Sequence, residues 1–83
     1  MRVNHEARLR VTVIDASGVV VDPATIEMFW QVRTGPEEPL TPVRIATGVY
    51  EATVTAPAAG RITWRVVTSN PNIEDSRTEW VLP

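Results

Sequence analysis

The chain has 83 residues and a formal net charge of −2, with eight arginines, no lysine and no cysteine. That length makes one domain, residues 1–83, which buries only about 60–65% of its unfolded surface and gains from partner subunits. A disulfide framework and a cysteine-based zinc site are excluded, and scattered arginines in an acidic chain argue against nucleic acid as a partner, because phosphate binding needs clustered positive charge.

The opening residues, MRVNHEARLR, lack the apolar core of a secretory signal, and no run approaches the ~20 apolar residues of a membrane helix. The expectation is a chain made and kept in a cytoplasm, with no membrane partner. From Ala7 to Ile14 the residues alternate: Ala7, Leu9, Val11 and Val13 on one side, Arg8, Arg10 and Thr12 on the other. A period of two is a half-buried strand. Asp15 to Gly18 (DASG) is a turn, and Val19–Val21 is a short strand closed by Asp22-Pro23. Thr25 to Arg33 (TIEMFWQVR) alternates again, with Ile26, Met28, Trp30 and Val32 inward; its β-branched and aromatic content argues against a helix.

Thr34 to Pro42 holds three prolines and no period, which predicts a loop leading to an edge strand over Leu40–Ile45. Tyr50, Ala52 and Val54 then alternate with polar residues, Ala56 to Gly60 turns, and Ile62, Trp64 and Val66 alternate in a second arm. Ser69 to Asn72 is another turn, and the last strand, Thr78–Leu82, is expected to point Trp80 and Leu82 inward. Six to seven short antiparallel strands with turn signals every 8–12 residues predict an all-β fold, a small Ig-like β-sandwich.

No residue set carries chemistry. His5 stands alone, without the partners a metal site or a general base requires. Asp15, Asp22, Glu74 and Asp75 fall in predicted loops without calcium-loop spacing, and read as solvated turn carboxylates. The serines lack a nucleophile-elbow context. The expectation is a protein that is not an enzyme and has no metal, catalytic residue or cofactor. Tyr50, after Gly48, is either a corner tyrosine bonded to nearby backbone or a core tyrosine whose hydroxyl reaches the surface. Trp30, Trp64 and Trp80 are read as core residues rather than as a sugar-stacking face, because each shares its side with aliphatic neighbours.

One face invites a partner. In an Ig-like layout the strands at 25–33, 61–68 and 77–82 are neighbours. Phe29, Val67 and Val81 would then form an outward apolar centre rimmed by Arg33, Arg65 and Glu79.

The stretches DASGVVVDPATIEMFWQVRTG, ATGVYEATVTAPAAGRITWRVVTSN and the closing EWVLP resemble a family of small β-sandwich structural proteins of tailed bacteriophages and prophages. The family pattern is matched at Asp15, Gly18, Val21-Asp22-Pro23, Thr47-Gly48, Tyr50, Gly60, Trp64-Arg65 and Trp80. It departs at Arg61-Ile62, where the family turn commonly continues with a small hydroxyl residue and tryptophan, and in its Pro- and Glu-rich middle loop. The resemblance implies a virion component of the head, neck or tail, made in the host cytoplasm. Its implied partners are capsid, portal/neck or tail subunits, met in many symmetric copies. The alternative is a carbohydrate- or cell-surface-binding Ig-like module, which exposed tryptophans on one face would favour.

Overall fold

Apolar side chains at every second position select strands, because that spacing lets one face of a pleated backbone leave water while the other stays in it. The computed structural model, which describes residues 1–83, contains β1 (Glu6–Thr12), β2 (Thr25–Val32), β3 (Glu38–Leu40), β4 (Val43–Ala46), β5 (Val49–Thr55), β6 (Gly60–Ser69) and β7 (Ile73–Val81). They form two antiparallel sheets, ordered β1-β5-β4 and β3-β2-β6-β7. The expected neighbours β2, β6 and β7 do share one sheet. Leu9, Ala52 and Val54 from the first sheet meet Met28, Trp64 and Val66 from the second. A smaller cluster of Ala56, Ile62 and Val81 lies under Met1, Val3, Trp30 and Val32. Burying a side chain such as Leu9 or Met28 contributes about 1.5–3 kcal/mol.

The predicted single edge strand at 40–45 is two strands on different sheets. Against β2, Leu40 faces Met28, Pro39 faces Phe29 and Glu38 faces Trp30. One further step in that register would set Pro42 against Ile26, and a proline has no N–H to donate to a ladder. Pairing therefore stops after Leu40, and the chain crosses to the other sheet, where β4 pairs with β5.

Val19–Val21 is not a strand; it contributes one isolated bridge, Ile14 to Val20. The carboxylate of Asp15 explains why. Its Oδ1 accepts the Ser17 N–H at 2.9 Å and the Val19 N–H at 3.0 Å, so these donors serve a turn.

The last strand begins earlier than Thr78 and has the opposite phase from the one expected. Gly60 pairs with Val81 and Ile62 with Glu79, so Ile73, Asp75, Arg77, Glu79 and Val81 share the side of Ile62 and Trp64. Val81 is 3% exposed, whereas Trp80 is 67% and Leu82 53% exposed. At this end the space between the sheets is closed by Ala56 and Ile62, with Met1 and Val3 against them, and a valine completes that cluster. Glu74 and Asp75, expected in a loop, are strand residues. The N-terminal residues extend the sheet: the Leu82 N–H donates to the Met1 carbonyl at 2.8 Å, and the Val3 N–H to the Leu82 carbonyl at 2.9 Å.

Candidate functional site

The outer face of the four-stranded sheet is laid out by register. Phe29, Arg65 and Ser76 form one row; Glu27, Val67 and Glu74 the next; Gln31, Thr63 and Thr78 a third. Arg61 and Trp80 extend it toward the β6 start.

Arg65 organises this face. Its guanidinium lies 4.6 Å from the centroid of the Phe29 ring, within cation–π range. Its Nη2 donates to Glu37 Oε1 at 2.6 Å and its Nε to Glu37 Oε2 at 3.2 Å, a bidentate fork, while Nη1 reaches Glu74 Oε1 at 3.3 Å. The hydrogen bond from Arg65 holds the Glu37 carboxyl below its ordinary range, and the same bond raises the arginine. Such exposed pairs contribute little stability, so their consequence here is position. The clamp fixes a planar cation flat on an aromatic ring and ties the loop before β3 to the sheet.

The ring also borders an open groove of about 320 Å³, lined by Ile26, Glu27, Met28, Phe29, Pro39, Leu40 and Pro42. The groove exists because pairing on this edge of β2 stops before Pro42.

Of the six expected interface residues, Phe29, Arg65 and Val67 share this face. Val81 and Glu79 lie on the opposite, core-facing side of β7, because the strand's phase is reversed. Arg33 sits past the end of β2 with a left-handed φ of 54°, and its Nε donates to the Ala59 carbonyl at 2.8 Å, so it joins two turns rather than rimming the face. Glu74, read in the sequence as a solvated turn carboxylate, and Glu37, in the Pro- and Glu-rich loop, were not expected to clamp this face. The available signal was the pair of glutamates in the Pro-rich loop together with the outward-facing Arg65 in the middle of β6. Trp80 replaces Val81 as the large apolar side chain on this side.

A second cluster lies on the other sheet. Asp22 Oδ1 accepts the Gly48 N–H at 2.7 Å and the Tyr50 hydroxyl at 3.1 Å, and both its oxygens receive Arg44 at 3.1 Å. The tyrosine is thus buried and bonded to a distant carboxylate rather than to nearby backbone. The Arg44 guanidinium, then the Gly48 N–H, hold the Asp22 carboxyl down at about 2. Burial, followed by the bond to Asp22, pushes the Tyr50 hydroxyl up. These groups satisfy one another and fasten the turn between β4 and β5. His5 is exposed in the N-terminal turn, and no three His, Asp or Glu side chains are grouped to hold a metal ion.

No protein-family model matches the chain, and a search of curated proteins finds no match.

Proposed function

We propose that this chain is a non-enzymatic structural protein of a tailed-phage virion, docking onto other virion subunits as a capsid decoration, head–tail connector or tail component. The observation that carries the reading is the outer sheet face. Phe29 with Arg65 stacked on it, Val67 beside it and a proline-lined groove at its edge make an aromatic–arginine centre with a charged rim, the composition in which binding energy concentrates. The likeness of the turn and core residues to phage structural proteins supplies the context. In this reading the protein carries no cofactor, and its location is the virion.

The alternative, a carbohydrate- or cell-surface-binding module, draws on one observation: Trp80 is exposed on the same side as Thr63, Thr78 and Arg61. Trp64 and Trp30 do not join it, since one is buried and the other half-buried between the sheets. Sugar platforms rest on stacked exposed rings, so the protein-binding reading is preferred.

Phe29→Glu tests it. The side chain points away from the core, so the variant keeps its circular dichroism spectrum. Removing a central anchor typically costs ≥2 kcal/mol, or roughly 30-fold or more in affinity, so the variant is lost from purified particles. Normal incorporation of the folded variant moves docking to another surface. If Trp80→Ala alone abolishes binding to host cells or glycans, the carbohydrate reading takes its place.

A further inference from the structure

β7 has one paired side and one open side. Arg33 donates its N–H to the Arg61 carbonyl at 2.9 Å, which fixes the odd-numbered residues of β6 toward β2. The even-numbered residues of β6 then face the odd-numbered residues of β7. The N–H and C=O groups of Glu74, Ser76, Thr78 and Trp80 therefore point away from the sheet. Leu82 continues this phase, and its two groups are the ones bonded by Met1 and Val3. Beyond that short N-terminal cover, the edge from Ile73 to Trp80 has no strand beside it. An unpaired edge of this length is a template for another strand.

We propose that β7 pairs antiparallel with β7 of a second copy of this chain, about a two-fold axis at Ser76. The register follows from charge. With Ser76 opposite Ser76, each Asp75 stands opposite an Arg77 of the other copy, and each Glu74 opposite a Thr78. Both outward-pointing backbone sets then meet as hydrogen-bonded pairs. Asp75 and Arg77 fall at the closer, non-hydrogen-bonded positions, where opposite charges attract across strands. Sliding one hydrogen-bonded step either way sets Arg77 against Arg77 or Asp75 against Asp75. The charges thus favour this register over its two neighbours. Setting Thr78 on the axis would pair Arg77 with Glu79, but it places Glu74 against Leu82, whose outward groups are already bonded by Met1 and Val3. Within one chain the two side chains are exposed and only loosely paired, at 4.0 Å. Arg77 lies over the Trp64 ring at 5.9 Å and Asp75 accepts the neighbouring Ser76 N–H at 2.9 Å, exposed local contacts that the pairing exchanges for cross-strand ones. The covered stretch near Leu82 bounds the free edge, and Ser76 lies near the middle of what remains. The product is one continuous sheet running from β3 of one copy to β3 of the other. This pairing does not depend on the virion reading, and it leaves the Phe29 face open on both copies.

Sedimentation and crosslinking test it. The wild-type chain sediments as a dimer at high micromolar concentration. Asp75→Arg and Arg77→Asp each weaken the dimer at least about tenfold, and the double exchange restores it. Ser76→Pro removes an outward N–H whose one bond within the chain is to the Asp75 carboxylate, at 2.9 Å, so it yields a folded monomer. The native chain has no cysteine, so Ser76→Cys gives a disulfide-linked dimer: paired Cα atoms about 5.5 Å apart suit that bond. Thr78→Cys alone does not link, but links when mixed with Glu74→Cys. A wild-type monomer at these concentrations overturns the proposal. So does a dimer that both charge reversals leave unchanged, or a Thr78→Cys variant that links to itself.

Discussion

Asp22 joins three parts of the chain that are far apart in sequence: the loop before β2, the arginine of β4 and the tyrosine at the start of β5. Because its carboxyl is held from the ordinary 3.8 down to about 2, it contributes stability that is complete above the ordinary value and is lost as pH falls toward 2. Asp22→Asn should lower the urea midpoint at neutral pH and flatten the acid limb between those values, followed by circular dichroism. Parallel acid profiles for the two proteins would show that the carboxylate is not the linked group. Gly48 beside it is similarly constrained. Its φ is +67°, and an added Cβ would come within 2.5 Å of Val20 Cγ1 and 2.8 Å of the Val21 carbonyl. Gly48→Ala should cost about 1–3 kcal/mol in chemical denaturation, from backbone strain before any clash is counted.

At the scale of elements, two tryptophans that look alike in the sequence behave differently. Trp64 is 4% exposed in the middle of β6, and its ring N–H has no partner. Trp64→Ala should cost on the order of 3–5 kcal/mol. Trp64→Phe should retain most of the stability, since it removes an unpaired donor whose burial costs about 1–3 kcal/mol. Trp80→Ala should change stability by less than about 0.5 kcal/mol, as expected for an exposed site. Equal losses at the two sites would contradict the observed phase of β7. That phase was hard to read because β7 is an edge strand whose core-facing side carries Asp75, Arg77 and Glu79, while Trp80 and, just past the strand's end, Leu82 face water. β1, β2, β5 and β6 were legible because their alternation is uninterrupted. The split between β3 and β4 was not, since both sides of Pro42 read as edge strand and only pairing assigns them to different sheets. Of the candidate face, Phe29, Arg65 and Val67 could be read from alternation, while the Glu37 and Glu74 clamp depends on how the Pro-rich loop returns to the sheet.

The whole molecule is long and thin for its size. Its extents are 40 × 22 × 19 Å and its radius of gyration is 13.3 Å, against roughly 12 Å expected for a domain of this length. Only 13 of 83 residues are buried, so the domain has a small core to offset the loss of chain entropy. A module of this kind gains from every surface it shares. It has two that differ in character, the Phe29–Arg65 face and the open edge of β7, and the proposed assembly would use both at once. In the proposed function that assembly is a virion. The measurement that bears on it most directly is quantitative mass spectrometry of phage particles purified from the organism encoding the chain. The protein is then expected in a fixed ratio to the major structural subunits, and the ratio should survive high-salt washing because the docking centre is not purely ionic. Its absence from washed particles, with the protein abundant in the producing cells, would rule out a virion role.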